Sequence, residues 1–365
     1  MIKKMMAMCA MTMMLGSCQT GEKALTMLVG TYTDTGSEGV LAYSFDQTTG
    51  EAEKLGSVKV SNPSYLTISN DGKHFYSVSE NAEESAKVNS FSLGDDGKMS
   101  LLNSVEAKGG DPCYITCNEK WVFAANYSGG SIAAFAIKKD GRVGTASQLV
   151  KFDSSGPDTA RQKTAHLHCV RITPDGKYLF ADDLGGDCIY RFKIVDGEKP
   201  LTAMEPKAVK LAAGCGPRHL EFAPDGKHAY LVTELSGEVM TFNYEAAKGE
   251  LTQIQTVSTD SVDGRGSADI HISPDGKYLY ASNRLKADGI SIFAIGNDGK
   301  IVKTGYQLTG THPRNFAITP NGKYLLVACR DSNMIQVLAR DEKTGLLSDT
   351  GKNIELKKPV CVKFK

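Results

Sequence analysis

The sequence predicts an all-β fold: a seven-bladed β-propeller with four antiparallel strands per blade. Two observations predict it. The first is a recurring phrase: NDGKHFYSVSE at 70–80, PDGKYLFADDL at 174–184, PDGKHAYLVTE at 224–234, PDGKYLYASNR at 274–284 and PNGKYLLVACR at 320–330, with a degenerate copy, NEKWVFAANY, at 118–127. Its anchors Asp71, Asn118, Asp175, Asp225, Asp275 and Asn321 lie 46–57 residues apart. A repeat of roughly 40–50 residues built from short strands marks propeller blades. The second observation is that the ends of the chain complement each other. A seventh first strand, PVCVKFK 359–365, has no second strand after it, while MLVGTYT 27–33 and VLAYSF 40–45 read as a second and third strand with no first. Joining them in one blade removes the open edge of the ring.

Each repeat carries four strand signals in order. The first precedes the turn: YLTIS 65–69, YITCN 114–118, HCVRIT 168–173, HLEFA 219–223, DIHIS 269–273 and NFAIT 315–319. The second follows an Asp-Gly or Asn-Gly pair, the strongest short hairpin signal. The third alternates, as in SIAAFAI 131–137 and GISIFAI 289–295, and a weaker fourth follows another turn, as in MSLLNSVEA 99–107. Val, Ile, Tyr and Phe dominate these runs, and no window shows helical periodicity.

Composition narrows the function. Charged residues are 23% and hydrophobic residues 41% of the 365, ordinary for a globular domain. Lys+Arg and Asp+Glu are both 42, so no basic excess points to nucleic acid or to anionic lipid. The N-terminus reads separately. MIKK, the short apolar run MMAMCAMTMMLG and LGSC at 15–18 match a lipoprotein leader, with cleavage before Cys18 and lipid on its thiol. The expected organisation is a leader at 1–17, a tether at 18–25 and one propeller domain at 26–365. The protein would then face the periplasm on a lipid anchor, or stay cytoplasmic if the leader is not used. Seven further cysteines, 113, 117, 169, 188, 215, 329 and 361, are odd in number and irregular in spacing, which predicts free thiols rather than a disulfide framework.

In a propeller the first strand of each blade lines the channel, and the second runs back beside it. The starts of first strands and the ends of second strands therefore share one face. The starts supply Asn62, Asp111, His166, His168, Arg218, His219, Asp269, His271, Arg314 and Asn315. The ends supply Tyr32, Glu80, Asn126, Asp182, Asp183, Glu234, Asn283, Arg284, Arg330 and Asp331. Five of the seven His residues fall near this ring, whereas the opposite face offers mainly turns. His166 and His168 share a spacing that can hold a metal, but no third ligand is evident, so either is better placed as a general base or as a donor to an oxyanion. Arg218, Arg284 and Arg314 come from three consecutive blades. Guanidinium groups converging on a channel need an anion, either carboxylates such as Glu234, Asp269 and Asp331 or a carboxylate or phosphate ligand. Glu234 between them would titrate low.

The set HLH at 166–168, GPRH at 216–219, TEL at 233–235, SNR at 282–284 and HPRN at 312–315, at blade spacing, resembles the lactonase family of seven-bladed propellers. That family includes propeller-type 6-phosphogluconolactonases and 3-carboxy-cis,cis-muconate lactonizing enzymes, and the resemblance covers about residues 26–365. It implies a channel-mouth site with His166 or His168, Arg218, Glu234 and Arg284 or Arg314. Around these, His219, Asp182, Asp269, His271, Asn283 and Arg314 are expected to bind substrate. The implied activity is hydrolysis of an anionic sugar lactone without metal or organic cofactor. The same ring would serve a carboxymuconate cyclase, and a propeller that only binds a carboxylated ligand or a protein would need the Arg cluster but no base. A lipoprotein leader would keep the protein away from a cytoplasmic phosphosugar, which points to another lactone or acid-sugar derivative if the leader is used.

Overall fold

A computed structural model describes residues 24–365; the expected leader at 1–17, Cys18 and the expected tether as far as residue 23 lie outside the described residues. Among the described residues every regular element is a β-strand, and the strands form seven sheets around one axis. Blade 1 has the order Pro359–Phe364, Leu25–Thr31, Val40–Phe45, Ala52–Val58, so the C-terminal strand supplies its inner edge as expected. The inner strands of blades 2 to 7 are Leu66–Ile68, Pro112–Cys117, Leu167–Ile172, Pro217–Phe222, Ser267–Ile272 and Pro313–Ile318. Blade 7 alone has a divided outer edge, where Leu347–Asp349 and Ile354–Glu355 both pair with Met334–Arg340.

The core lies between the blades. Phe45, Phe75, Phe91, Phe123, Phe135, Phe180, Phe242 and Phe293, all from second or third strands, are fully buried between sheets. Each contributes about 1.5–3 kcal/mol of burial. The PDGK turns close the inner hairpins on the far face. In blade 4, Asp175 Oδ1 accepts from Thr173 Oγ1 and the Lys177 N–H, and Gly176 takes φ 72°, a conformation that favours glycine. The expected free thiols are found: all seven described cysteines are unbridged.

Two features recur around the ring and build the channel mouth. The N–H groups of Tyr32, Glu80, Tyr127, Leu184, Glu234, Arg284 and Arg330, each just past a second strand, donate to the carbonyls of Lys358, Asn62, Asp111, His166, Gly216, Gly266 and His312. One residue on from Pro112, Leu167, Pro217, Pro313 and Pro359, the inner strand bulges. Pro217 pairs with Thr233 and His219 with Val232, which leaves Arg218 as the extra residue. Cys113, His168, Arg314 and Val360 are extra in the same way. A bulge re-aims the side chain that it carries, and here Cys113, His168, Arg218 and Arg314 are turned toward the mouth.

Ring closure yields the first prediction. Removing residues 359–365 would expose the inner edge of Leu25–Thr31 and open the ring. The truncated chain should lose its cooperative thermal transition or aggregate. A soluble monomer melting like the intact chain would show that the closing strand is dispensable.

Candidate active site at the channel mouth

Glu80, Cys113, Tyr127, Arg161, His168, Glu234, Arg284 and Arg314 line a cavity of about 200 Å³ at the channel mouth. Glu234 is its hub. Oε1 accepts from Arg161 Nη2 at 2.7 Å, and Oε2 accepts from Arg218 Nε at 2.9 Å and lies 3.2 Å from Arg284 Nη2. His168 Nε2 lies 4.0 Å from the same Oε2. Burial opposes ionisation of Glu234, but Arg284 and Arg218, followed by Arg161, outweigh it and hold the carboxyl well below the usual range. Across the mouth Glu80 Oε1 accepts from Tyr32 Oη at 2.9 Å and lies 3.5 Å from Arg314 Nη2, whose guanidinium sits 5.5 Å from the Tyr32 ring centre.

Charge is unbalanced here. Four guanidinium groups, from Arg161, Arg218, Arg284 and Arg314, meet the two carboxylates of Glu234 and Glu80, leaving an excess of two positive charges. Arg284 feels this most. Burial, opposed by Glu234 and reinforced by Arg218 and Arg314, pushes it down to about 9. His168 responds in the same sense: burial first, then Arg218 and His219, hold its imidazole well below its usual 6.5, so it is neutral at neutral pH.

A second layer fixes Arg218 from below. Its Nη1 donates to the Ala268 carbonyl and to His219 Nε2, the latter at 3.2 Å. An Arg N–H can only donate, so His219 Nε2 must carry a lone pair and Nδ1 the hydrogen. Nδ1 lies 2.7 Å from Asp269 Oδ1, so the carboxylate selects the tautomer that receives Arg218. Asp269 Oδ2 accepts in turn from His271 Nε2, Asn315 Nδ2 and the Phe316 N–H. Burial and Arg218 bring His219 down to about 3 despite Asp269.

A family model described as "Lactonase, 7-bladed beta-propeller" matches residues 26–364. This chain belongs to that lactonase family. A 6-phosphogluconolactonase of Formosa agariphila is 37% identical over 88% of this chain and 94% of its own length. The crystal structure of a putative 6-phosphogluconolactonase of Bacteroides fragilis superposes with a TM-score of 0.92 at 54% identity, covering 94% of this chain and 98% of that one. The periplasmic gluconolactonase of Pseudomonas aeruginosa gives 0.90 at 34% identity, over 94% and 99% of the two chains.

Within this lactonase-family propeller, the residues read from the sequence divide by depth. His168, Arg218, Glu234, Arg284 and Arg314 converge at the cavity, so both Arg284 and Arg314 are present where the sequence left a choice. His166 does not converge with them. It precedes the bulge, stacks on Tyr127 at 4.4 Å, places Nδ1 3.1 Å from the Tyr127 carbonyl and is not among the residues lining the cavity. His219, Asp269 and His271 lie beneath the cavity and support it. Asn283 bonds Ser267 and Ser291 inside blade 6. Asp182 is buried one residue short of the mouth, where burial pushes its carboxyl well above the usual range. These five therefore sit outside the lining expected of substrate-binding groups. Three lining residues were not picked out. Tyr127 occupies the position nine residues past the anchor Asn118, as Glu234 does past Asp225, a signal the repeat did carry. Cys113 is a bulge residue. Arg161 comes from the link between blades 3 and 4, which no repeat describes. Among the described residues no group of three or more His, Cys, Asp or Glu is arranged to hold a metal.

Two predictions follow from this electrostatic frame. Glu234→Ala would leave Arg218 and Arg284 buried without their carboxylate, at a cost of about 3–5 kcal/mol. Sulfate should restore the melting temperature of this variant more than it raises that of the wild type; equal responses would show that the guanidinium groups are not short of an anion. The second concerns pH. His168 and His219 stay neutral in the fold, while the unfolded chain protonates them below about 6.5. Their stabilisation is thus present above 6.5 and is lost as pH falls toward their folded values, at about 1.4 kcal/mol per pH unit for each. Urea midpoints between pH 7 and 4.5 should fall less steeply in His219→Gln; an unchanged slope would contradict the assignment.

Proposed function

We propose that the chain hydrolyses an anionic sugar lactone at this mouth, with His168 as base and Arg218 and Arg284 around the developing oxyanion. The observation that carries the reading is a neutral buried imidazole, 4.0 Å from Glu234, in a cavity with two unmatched positive charges. A water seated against His168 and Glu234 attacks the lactone carbonyl while His168 takes its proton. The carbonyl electrons move onto oxygen, facing the two guanidinium groups, which stabilise the charge that develops there. Collapse breaks the bond to the ring oxygen, and the imidazolium returns the proton to that leaving alkoxide. The products are a carboxylic acid, which ionises to solvent, and a free hydroxyl. Glu234 orients Arg218 and Arg284. An anionic substrate beside those groups would also raise the proton affinity of His168, so binding would strengthen the base.

The substrate has two readings. The Formosa relative is named for a phosphorylated lactone, and the charge excess suits an anion. The Pseudomonas neighbour is named a periplasmic gluconolactonase, which suits the proposed leader at 1–17 and a lipid anchor on Cys18 in the cell envelope. Carboxymuconate cyclisation would use the same groups with the acid-base chemistry running the other way: a carboxylate oxygen adds to a carbon–carbon double bond and the proton goes to the neighbouring carbon.

Hydrolysis of 6-phosphoglucono-δ-lactone and of glucono-δ-lactone, measured above the spontaneous rate with protein lacking residues 1–23, tests the reading. Arg218→Ala should lose about 10²–10³ in kcat, with Arg218→Lys recovering little because an ammonium cannot reproduce the fork. The acid limb of kcat/KM should fall well below pH 6.5, since His168 is protonated only there in the free enzyme, and the limb of kcat should lie higher. A kcat/KM limb at or above 6.5 would exclude His168 as the base, and no acceleration of either lactone by folded protein would exclude the lactonase assignment.

A further inference from the structure

The four cavity arginines are not equivalent. The side chains of Arg218, Arg284 and Arg314 are 1%, 6% and 15% exposed, and each is fixed by framework groups. Arg218 is held by Glu234, the Ala268 carbonyl and His219. Arg284 Nε donates to the Gly266 carbonyl at 2.8 Å, and Arg314 packs on Tyr32 beside Glu80. Arg161 differs in three ways. Its side chain is 42% exposed, so it stands at the rim while the others stand deeper. Only Nη2 is engaged, by Glu234 Oε1 at 2.7 Å and Tyr127 Oη at 3.3 Å, so Nε and Nη1 have no protein acceptor among the described residues. It is also the one cavity arginine carried by a link between blades rather than by a blade. That link is nonetheless built. Gln162, next in sequence and fully buried, donates to the Leu184 carbonyl and to Asp187 Oδ1, both at 2.8 Å. Asp158 Oδ1 accepts from the Arg161 N–H at 3.1 Å. The backbone of Arg161 is thus anchored while its guanidinium keeps free donors at the cavity entrance.

We propose that Arg161 is the residue that reads the substrate's distal anionic group, and so separates phosphorylated or carboxylated sugar lactones from neutral ones. The inference rests on the lactonase reading of this cavity. A lactone carbonyl facing the deep Arg218 and Arg284 leaves a substituent several bonds away nearest the rim. A phosphate or carboxylate there meets the Nε–Nη2 edge of Arg161, whose parallel N–H groups match a two-oxygen anion in one plane. As the guanidinium turns to the anion it leaves Glu234 Oε1, and the carboxylate gains a free oxygen at the cavity only when a charged substrate is bound.

The test compares wild type, Arg161→Gln and Arg161→Lys with 6-phosphoglucono-δ-lactone and glucono-δ-lactone at low ionic strength. For Arg161→Gln the KM for the phosphorylated lactone should rise about 10- to 100-fold, the loss of a charge-assisted pair, with kcat changed much less and with a loss of kcat/KM on glucono-δ-lactone that is about tenfold or more smaller. Arg161→Lys should recover part of the loss. Equal losses on both lactones would mean that Arg161 acts only through Glu234, and no change on the phosphorylated lactone would remove it from recognition; either overturns the proposal. If wild type hydrolyses neither lactone, the lactonase reading fails separately, and calorimetry with 6-phosphogluconate against gluconate decides the assignment. A preference for 6-phosphogluconate that disappears in Arg161→Gln would sustain it. No preference in wild type, or one that survives the substitution, would overturn it.

Discussion

One carboxylate holds the channel mouth together. Glu234 receives Arg161, Arg218 and Arg284 on its two oxygens, and each of those groups comes from a different part of the ring. A buried charge is tolerated only where it is paired and hydrogen-bonded. Here the pairing is incomplete, since Arg161, Arg218, Arg284 and Arg314 carry more positive charge than Glu234 and Glu80 neutralise. Burial first, and then this imbalance, hold His168 neutral and depress Arg284, so the two act together on the proposed base and the proposed anion site.

The channel beneath stiffens this arrangement. Asp269 lies at the centre of a column in which every polar group is matched: His219, His271, Asn315 and the Phe316 N–H all contact its two oxygens. Fully satisfied buried networks rigidify what they hold. Here they hold the lone pair of His219 against Arg218, which keeps a guanidinium aimed upward without spending any of its contacts on mobile groups. Tyr65 and Tyr114, stacked at 4.0 Å, close the column on its other side. The upper layer therefore keeps groups open to the cavity and the lower layer keeps its groups paired, although both are equally polar in the sequence.

The sequence by itself determined the architecture. Asp-Gly turns, alternating strands and the unmatched terminal strands are local or periodic signals, and hairpin pairing follows from them with little freedom. It also determined which face carries polar groups, and put His168, Arg218, Glu234, Arg284 and Arg314 among the candidates there, while leaving His166 against His168 and Arg284 against Arg314 open. Only the tertiary structure decided depth. His166 and His168 are two residues apart, yet the bulge at His168 sends it into the mouth while His166 stacks on Tyr127. His219 follows the bulged Arg218 by a single residue and points one layer lower, against Asp269. Such a change of direction depends on pairing with another strand, which alternation in one strand cannot encode. Arg161 was invisible for a different reason: it lies on a link outside the repeat, and its approach to Glu234, 73 residues away in sequence, exists only once the blades close into a ring.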